Sequence, residues 1–178
     1  MSSRSLRTGV ALLAIAAAVL GYRWWSSDER AVRRQMASIA EALTVGPGEG
    51  SLGPVTRVAT LRNALAPDIR VSGGPPPAGS DQGTGTRRPP EVVGRDAVLA
   101  LIGRWIPPPG GVTVQFVDMQ VTVDDGGAGA EVYCTATIES AGASGQPNVD
   151  ARELVVGFQK IEGDWLVSSV RVEETLMR

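Results

Sequence analysis

Apolar side chains recur at helical spacing in three segments of the chain. In the first they stand three or four positions apart, at Val32, Met36, Ile39, Ala40 and Leu43. This spacing predicts an amphipathic helix over Asp28–Leu43, with Ser27 or Asp28 placed to cap its first turn. The same pattern predicts a second helix over residues 55–65 and a third over residues 94–105, each of which ends before a proline.

After Gly111 the pattern changes to the alternation of apolar and polar residues that is typical of half-buried strands. Four strands are predicted, over residues 112–123, 130–138, 153–161 and 165–172, and turn-rich segments separate them. Their order predicts an antiparallel meander, and a further short strand is predicted over residues 68–72. In the second strand of the meander Cys134 shares the parity of the apolar residues, so its side chain is predicted to face the core.

The first strand of the meander changes phase in its middle. Val112, Val114 and Phe116 share one parity, whereas Val117, Met119, Val121 and Val123 share the other. A bulge or sharp bend between the two sets is therefore predicted. Such a bend lets the sheet curve strongly around the helices, and a cavity can remain between the two layers.

The N-terminal 27 residues carry a different pattern. Residues 9–22 are uncharged and mostly apolar. The run is flanked by Arg4 and Arg7 on one side and by Arg23, Trp24 and Trp25 on the other. It predicts a signal-anchor transmembrane helix, because Trp and Tyr favour the membrane interface. A cleaved signal peptide is the alternative, since residues 16–18 are small, but bulky residues follow and no cysteine stands at a lipoprotein position.

The predicted anchor divides the chain into residues 1–27, a basic tail with the membrane segment, and residues 28–178, one domain. Arg4 and Arg7 favour a cytoplasmic N-terminus, which would place the domain of this single-pass membrane protein on the periplasmic or extracytoplasmic side. The basic residues that follow the segment favour the opposite orientation. Within the domain, residues 73–90 are rich in Gly, Pro, Ser and Thr and predict a flexible loop.

Composition excludes several kinds of chemistry. The formal net charge is −2, histidine is absent and Cys134 is the only cysteine. These counts exclude an internal disulfide and any nucleophile paired with histidine, and they remove the usual zinc ligands, so no metal and no cofactor is expected. Acidic residues dominate from Glu91 onward, which disfavours contact with the phosphate backbone of nucleic acids.

Two short motifs complete the pattern: Gly-Arg-Asp-Ala-Val at residues 94–98 and Lys-Ile-Glu-Gly-Asp-Trp-Leu-Val at residues 160–167. With the order of the elements, they resemble the nuclear transport factor 2-like superfamily, which includes SnoaL-like polyketide cyclases and ketosteroid isomerases. The resemblance covers about residues 28–174. It implies an α+β fold, in which a curved antiparallel sheet wraps around about three N-terminal helices to form a cone, here preceded by one transmembrane helix.

Enzymes of this superfamily place an Asp, Tyr or His inside the cone, and the resemblance draws attention to Asp118 and Tyr133. Without a bulge, Asp118 would share the face of Phe116 and could act as a desolvated general base. With the change of phase it faces outward beside Gln120. Tyr133 has the parity opposite to the apolar residues of its strand and is expected on the exposed face.

The sequence leaves two kinds of function open. The favoured one is a membrane-tethered, non-enzymatic interaction or assembly module of the bacterial envelope. The resemblance implies a homodimer through the open sheet face, and an anchored domain of this kind resembles periplasmic assembly subunits of type IV secretion systems, so an envelope protein is a further partner. The alternative is a small-molecule-binding domain with an apolar pocket lined by Trp105, Phe116, Phe158 and Trp165, with or without turnover by Asp118.

Overall fold

The computed structural model describes residues 28–47, 53–73, 91–105, 107–108, 110–141 and 147–173. The predicted anchor in residues 1–27 and nearly all of the predicted loop 73–90 lie outside these ranges. Within them, no helix combines the length and the hydropathy that a membrane crossing requires.

The described ranges contain three helices, and all three were predicted. They are α1 (Asp28–Leu43), α2 (Gly53–Ala64) and α3 (Arg95–Arg104). Helix α1 buries Val32, Met36, Ile39 and Ala42 against the sheet, so Ala42 takes the place expected of Ala40. Asp28 and Glu29 occupy the first turn of α1, where negative charge complements the helix dipole.

Six strands form one mixed sheet. They are β1 (Leu65–Ser72), β2 (Val92–Val93), β3 (Val112–Val123), β4 (Gly129–Ala141), β5 (Pro147–Ile161) and β6 (Asp164–Glu173). The order across the sheet is β2-β1-β6-β5-β4-β3. Strands β3 to β6 form the predicted antiparallel meander. The predicted antiparallel sheet is thus confirmed for these four strands, whereas the whole sheet is mixed, because β1 pairs with β6 in parallel.

Two strands begin at least three residues before the predicted position. Strand β1 begins at Leu65, which the helical spacing had assigned to α2, because Leu65 and Ala66 are buried at the start of the parallel pairing with β6. Strand β5 begins at Pro147 instead of residue 153. Its first residues are exposed on both faces and carry no alternation, so only their pairing with the end of β4 identifies them as a strand.

The predicted bulge in β3 is confirmed. The pairing with β4 shifts between Val117 and Gln120, and Asp118 adopts a positive φ of 53°. On either side of this point the inward-facing residues change parity, as the sequence indicated. Arg33 of α1 donates a hydrogen bond from Nη1 to the carbonyl oxygen of Met119 at 3.2 Å, so the helix fixes the bulge.

The two residues that follow α1, Thr44 and Val45, cover part of the free edge of β3. The Thr44 hydroxyl accepts a hydrogen bond from Val114 N at 3.1 Å. Val45 and Val112 exchange both backbone hydrogen bonds, at 2.7 and 2.8 Å. Gly111 comes before this bridge at a φ of 82°, and a Cβ there would collide with the Val45 carbonyl. These contacts protect the edge against pairing with another chain.

At its N-terminal end α1 is joined to the hairpin of β5 and β6. Asp28 Oδ1 accepts hydrogen bonds from Lys160 Nζ at 2.7 Å and from the indole Nε1 of Trp165 at 3.2 Å. The hydrogen bond from Lys160 is the main cause that lowers the pKa of Asp28. The hairpin turns through Glu162 and Gly163, whose φ values of 54° and 98° are the positive angles that a two-residue hairpin turn requires.

Candidate functional site: an apolar cavity

A cavity of about 480 Å³ lies between the inner face of the sheet and the three helices. Helices α1, α2 and α3 contribute one wall, and strands β1, β3, β4, β5 and β6 contribute the other. The lining comprises Met36, Ile39, Leu43, Leu61, Leu65, Ile69, Val71, Val98, Leu101, Ile102, Trp105, Val112, Val114, Phe116, Ala136, Ile138, Leu154, Val156, Val167 and Val170. Its volume falls in the range typical of small-molecule sites.

The exposure of the lining residues shows where the cavity opens. Met36 and Ile69 are each only 1% exposed and mark its closed inner part. Leu101 and Trp105 are 51% and 45% exposed, although they line the same cavity. They stand one helical turn apart at the end of α3, so they form an apolar rim between solvent and the interior. Strand β3 contributes to the lining only before the bulge, through Val112, Val114 and Phe116.

The chemistry of the cavity is uniform. None of its lining side chains carries a charge, a hydroxyl or an amide, and the indole N–H of Trp105 at the rim is the one strong hydrogen-bond donor among them. Cys134 lies on the inner face of β4 between two strands but is not part of the lining. Burial raises the pKa of its thiol to about 11, so the group is a neutral, weakly polar core atom near pH 7.

Two of the four residues predicted to line a pocket do so. Trp105 and Phe116 line the cavity. Phe158 and Trp165 are buried in the core instead, at 3% and 5% exposure, and Trp165 is held there by its hydrogen bond to Asp28. Both lie near the β5–β6 turn, where α1 packs directly on the sheet and leaves no space.

Most of the lining was missing from the predicted set. Helix α1 supplies Met36, Ile39 and Leu43, all of which belong to the stripe read from the sequence. The stripe indicated a buried face, but alternation and spacing carry no information about whether a buried face meets a side chain or empty space. Leu101 could have been predicted as a lining residue from the sequence, because it lies one helical turn before Trp105.

The structure places the two polar candidates outside the cavity lining. For Asp118 it shows the outward orientation that the change of phase indicated, and not the inward one that a base inside the cone would need. Asp118 is exposed at the bulge, because the extra residue turns it away from the face of Phe116. Tyr133 is 49% exposed on the outer face of the sheet, as expected. A hydrogen bond with Glu131 raises the pKa of the Tyr133 hydroxyl.

A second space, of about 470 Å³, lies between α1 and α2 and differs in character. It is lined by Ser38, Glu41, Ala42, Thr44, Thr56, Arg57 and Thr60. The Thr44 hydroxyl also donates to the carbonyl oxygen of Ala40 at 2.9 Å, so part of this polar surface already serves the end of α1.

Comparison with solved structures identifies the architecture. No family model matches the sequence, and no curated protein does. An NTF2-like protein of unknown function from Pseudomonas putida KT2440 superimposes with a TM-score of 0.57 at 12% identity, over 84% of this chain and 87% of that one. An NTF2-like protein with a cystatin-like fold from Novosphingobium aromaticivorans gives 0.56 at 15% identity, over 92% and 90%.

A third structure, the CaMKII hub of S. rosetta, gives a TM-score of 0.60 at 10% identity, over 83% of this chain and 97% of that one. At such low identities the likeness concerns the path of the backbone and not the residues of a site. The chain therefore has the nuclear transport factor 2-like fold, an α+β cone that the motifs at residues 94–98 and 160–167 had suggested.

Proposed function

We propose that this domain binds an apolar small molecule in the cavity between its helices and its sheet, without transforming it. One observation carries the proposal: all the lining side chains are apolar, and Leu101 and Trp105 leave the space open to solvent. A general acid, a general base or a nucleophile would need a titratable or hydroxyl side chain within reach of the ligand. The described lining provides none.

The free-energy cost of unfilled apolar volume supports the proposal that a ligand fills the cavity. Unfilled apolar volume costs about 24 cal/mol per Å³ in closed protein cavities, so 480 Å³ corresponds to an upper bound on the order of 10 kcal/mol. That bound is comparable to the whole stability of an ordinary domain. The open rim lowers the cost by admitting solvent, but water gains no hydrogen bonds from these walls. A ligand of matching shape recovers the missing dispersion contacts and buries the exposed rim.

The test is native mass spectrometry of the full chain after expression and after incubation with mixed cellular apolar extract. The wild-type chain is expected to retain a low-mass adduct. The variant Ala136→Phe, which places a ring inside the cavity, should lose it. The control Thr135→Phe adds the same ring on the adjacent position of β4, which faces away from the cavity, and should keep the adduct. An adduct that survives Ala136→Phe, or no adduct in any variant, contradicts the proposal.

A second function, assembly through the outer face of the sheet, is favoured by one feature of that face. Val155 is only 4% exposed there, and its register partners Tyr133 and Arg171 flank it. Tyr and Arg are among the residue types most enriched at the energetic centres of protein interfaces. The structural neighbour named as a hub fits an assembly role. This supports a homodimer, or a complex with an envelope protein, through β4 and β5.

Sedimentation velocity of the full chain tests the assembly. A dimer in the wild-type chain that becomes a monomer in Tyr133→Arg would support it. A chain that is monomeric at all accessible concentrations would contradict the homodimer, and the cavity would be unaffected by that result.

We further propose that residues 1–27 tether this domain to the membrane, with the domain on the extracytoplasmic side of the bacterial envelope. The support is the uncharged run of residues 9–22 and the preceding Arg4 and Arg7. In intact spheroplasts, added protease should degrade the domain, and alkaline carbonate should leave the undigested chain with the membranes. Protection from protease, or release by carbonate, would contradict this placement.

A further inference from the structure

The inner face of the sheet changes from apolar to charged at one end of the cavity. Strands β4 and β5 pair without interruption, so residues directly opposite each other share a face. Ala136 pairs with Arg152, and Ile138 pairs with Asp150. Since Ala136 and Ile138 line the cavity, Arg152 and Asp150 lie on the cavity side of the sheet, two and four positions before the lining residue Leu154.

These two charged residues lie in solvent beside the cavity lining and not inside it. Their side chains are 47% and 50% exposed, and Arg152 Nε donates to Asp150 Oδ2 at 3.2 Å. The guanidinium has five N–H groups in a planar fork, so this one contact leaves it capacity for a second anionic group. On the helix side of the cavity, Arg104 follows Leu101 by three positions, and helical side chains lean toward the preceding turn. The sheet side of the cavity therefore carries one exposed arginine and one exposed aspartate at this edge, and the last turn of α3 carries a further arginine.

We propose that the ligand is a single-chain amphiphile that enters tail first and leaves an anionic headgroup at Arg152. This inference rests on the binding function proposed above and specifies its ligand class. The described lining offers no polar partner beyond the rim, so burial of a headgroup would lose its hydration without compensation. A hydrocarbon tail loses nothing there and gains the hydrophobic contribution of each buried methylene.

The volume sets the length of the tail. At roughly 30 Å³ for a group of water or methylene size, 480 Å³ holds on the order of 16 such groups. A carboxylate headgroup can accept two parallel hydrogen bonds from an arginine, whereas an uncharged hydroxyl cannot. Asp150 competes for the same guanidinium and repels an incoming anion, so it is expected to weaken the binding of the headgroup.

The experiment compares the affinities of the full chain for hexadecanoate and for hexadecan-1-ol, which share a tail and differ in the headgroup. Arg152→Gln is expected to lower the affinity for hexadecanoate by roughly three- to fivefold, the size of one solvent-exposed ionic contact, and to leave the alcohol unchanged. Asp150→Asn should raise the affinity for hexadecanoate by about twofold. The control Arg70→Gln removes an exposed charge from β1, whose neighbour Ile69 faces the cavity, and should change neither affinity.

A compact apolar fluorophore, 1-aminoanthracene, separates the two levels of the proposal. If 1-aminoanthracene binds and both alkyl ligands fail to bind, the proposal that the cavity binds an apolar molecule is kept, and the proposal that this molecule is a single-chain amphiphile is overturned. If Arg152→Gln and Arg70→Gln weaken hexadecanoate equally, or Arg152→Gln affects acid and alcohol alike, the position of the headgroup is overturned. If none of the three compounds binds, the proposed function itself fails.

Discussion

Filling the cavity from within should stabilise the ligand-free protein. Ala136 faces the cavity from the centre of β4, between Phe116 of β3 and Arg152 of β5, and is only 6% exposed. In Ala136→Phe the added ring would enter space that side chains leave open, instead of displacing packed atoms. The ring occupies about 100 Å³ more than a methyl group, and at about 24 cal/mol per Å³ this corresponds to roughly 2 kcal/mol. Complete burial of a phenylalanine gives a similar figure.

The open rim leaves part of the added ring in contact with solvent and so reduces this gain, and we expect an increase of about 1–2 kcal/mol in the free energy of unfolding. Urea unfolding of ligand-free protein, followed by far-UV circular dichroism, measures the change, and the m value should stay constant. The melting temperature should rise by roughly 3 °C for each kcal/mol. Thr135→Phe, on the opposite face, should stay within about 0.5 kcal/mol of the wild type. A decrease of more than 1 kcal/mol in the free energy of unfolding of Ala136→Phe would contradict this prediction, because it would mean that protein atoms already fill the space.

Three further predictions concern the frame around the cavity. Asp28→Asn should lower the stability by about 1 kcal/mol at pH 7, because it weakens a partly exposed ionic hydrogen bond to Lys160. The folded-state pKa of Asp28 is lowered, so this contribution is present above the unfolded pKa near 4 and disappears as the pH falls through the folded value. Gly111→Ala should cost about 2–4 kcal/mol in urea unfolding, whereas Gly163→Ala, with a positive φ but open surroundings, should cost about 1 kcal/mol. Cys134 should resist iodoacetamide at pH 8 in the folded chain and react readily in 8 M urea, in which burial no longer raises the pKa of its thiol.

Each of these predictions has a result that contradicts it. For Asp28, the stability difference between variant and wild type would stay constant as the pH is lowered from 7 into the acid range. For the two glycines, equal losses of stability in Gly111→Ala and Gly163→Ala would show that the contact with Val45 does not contribute. For Cys134, rapid alkylation of the native chain would mean that β4 opens readily or that the thiol is accessible.

Much of the fold could be predicted because its elements are marked by local patterns. The stripe of α1 and the change of parity in β3 each fixed a structural feature without reference to any other part of the chain. The parallel pairing of β1 with β6 could not be predicted in this way, because it depends on a contact between residues about 100 positions apart. Strand β2, only two residues long, carries too few positions for any period to show.

The site was harder to predict for a physical reason. Phe158 and Trp165 were expected at the cavity because they are large and face inward, and both do face inward. Whether an inward side chain lines a space or fills it depends on the distance between the layers, and α1 approaches the sheet closely where Asp28 joins Lys160. The position of Arg152 beside the cavity could not be predicted either, because the register of β5 against β4 determines the face of the sheet on which it lies.

Methyl NMR tests directly whether a ligand occupies the interior of the cone. In the full chain with labelled isoleucine δ1 methyls, Ile39, Ile69, Ile102 and Ile138 line the cavity, whereas Ile161 lies beside the β5–β6 turn and does not. On titration with hexadecanoate, or with 1-aminoanthracene, we expect saturable shifts at the four lining methyls and none at Ile161. Shifts confined to Ile161, or unchanged spectra at saturating concentrations of both compounds, would contradict it.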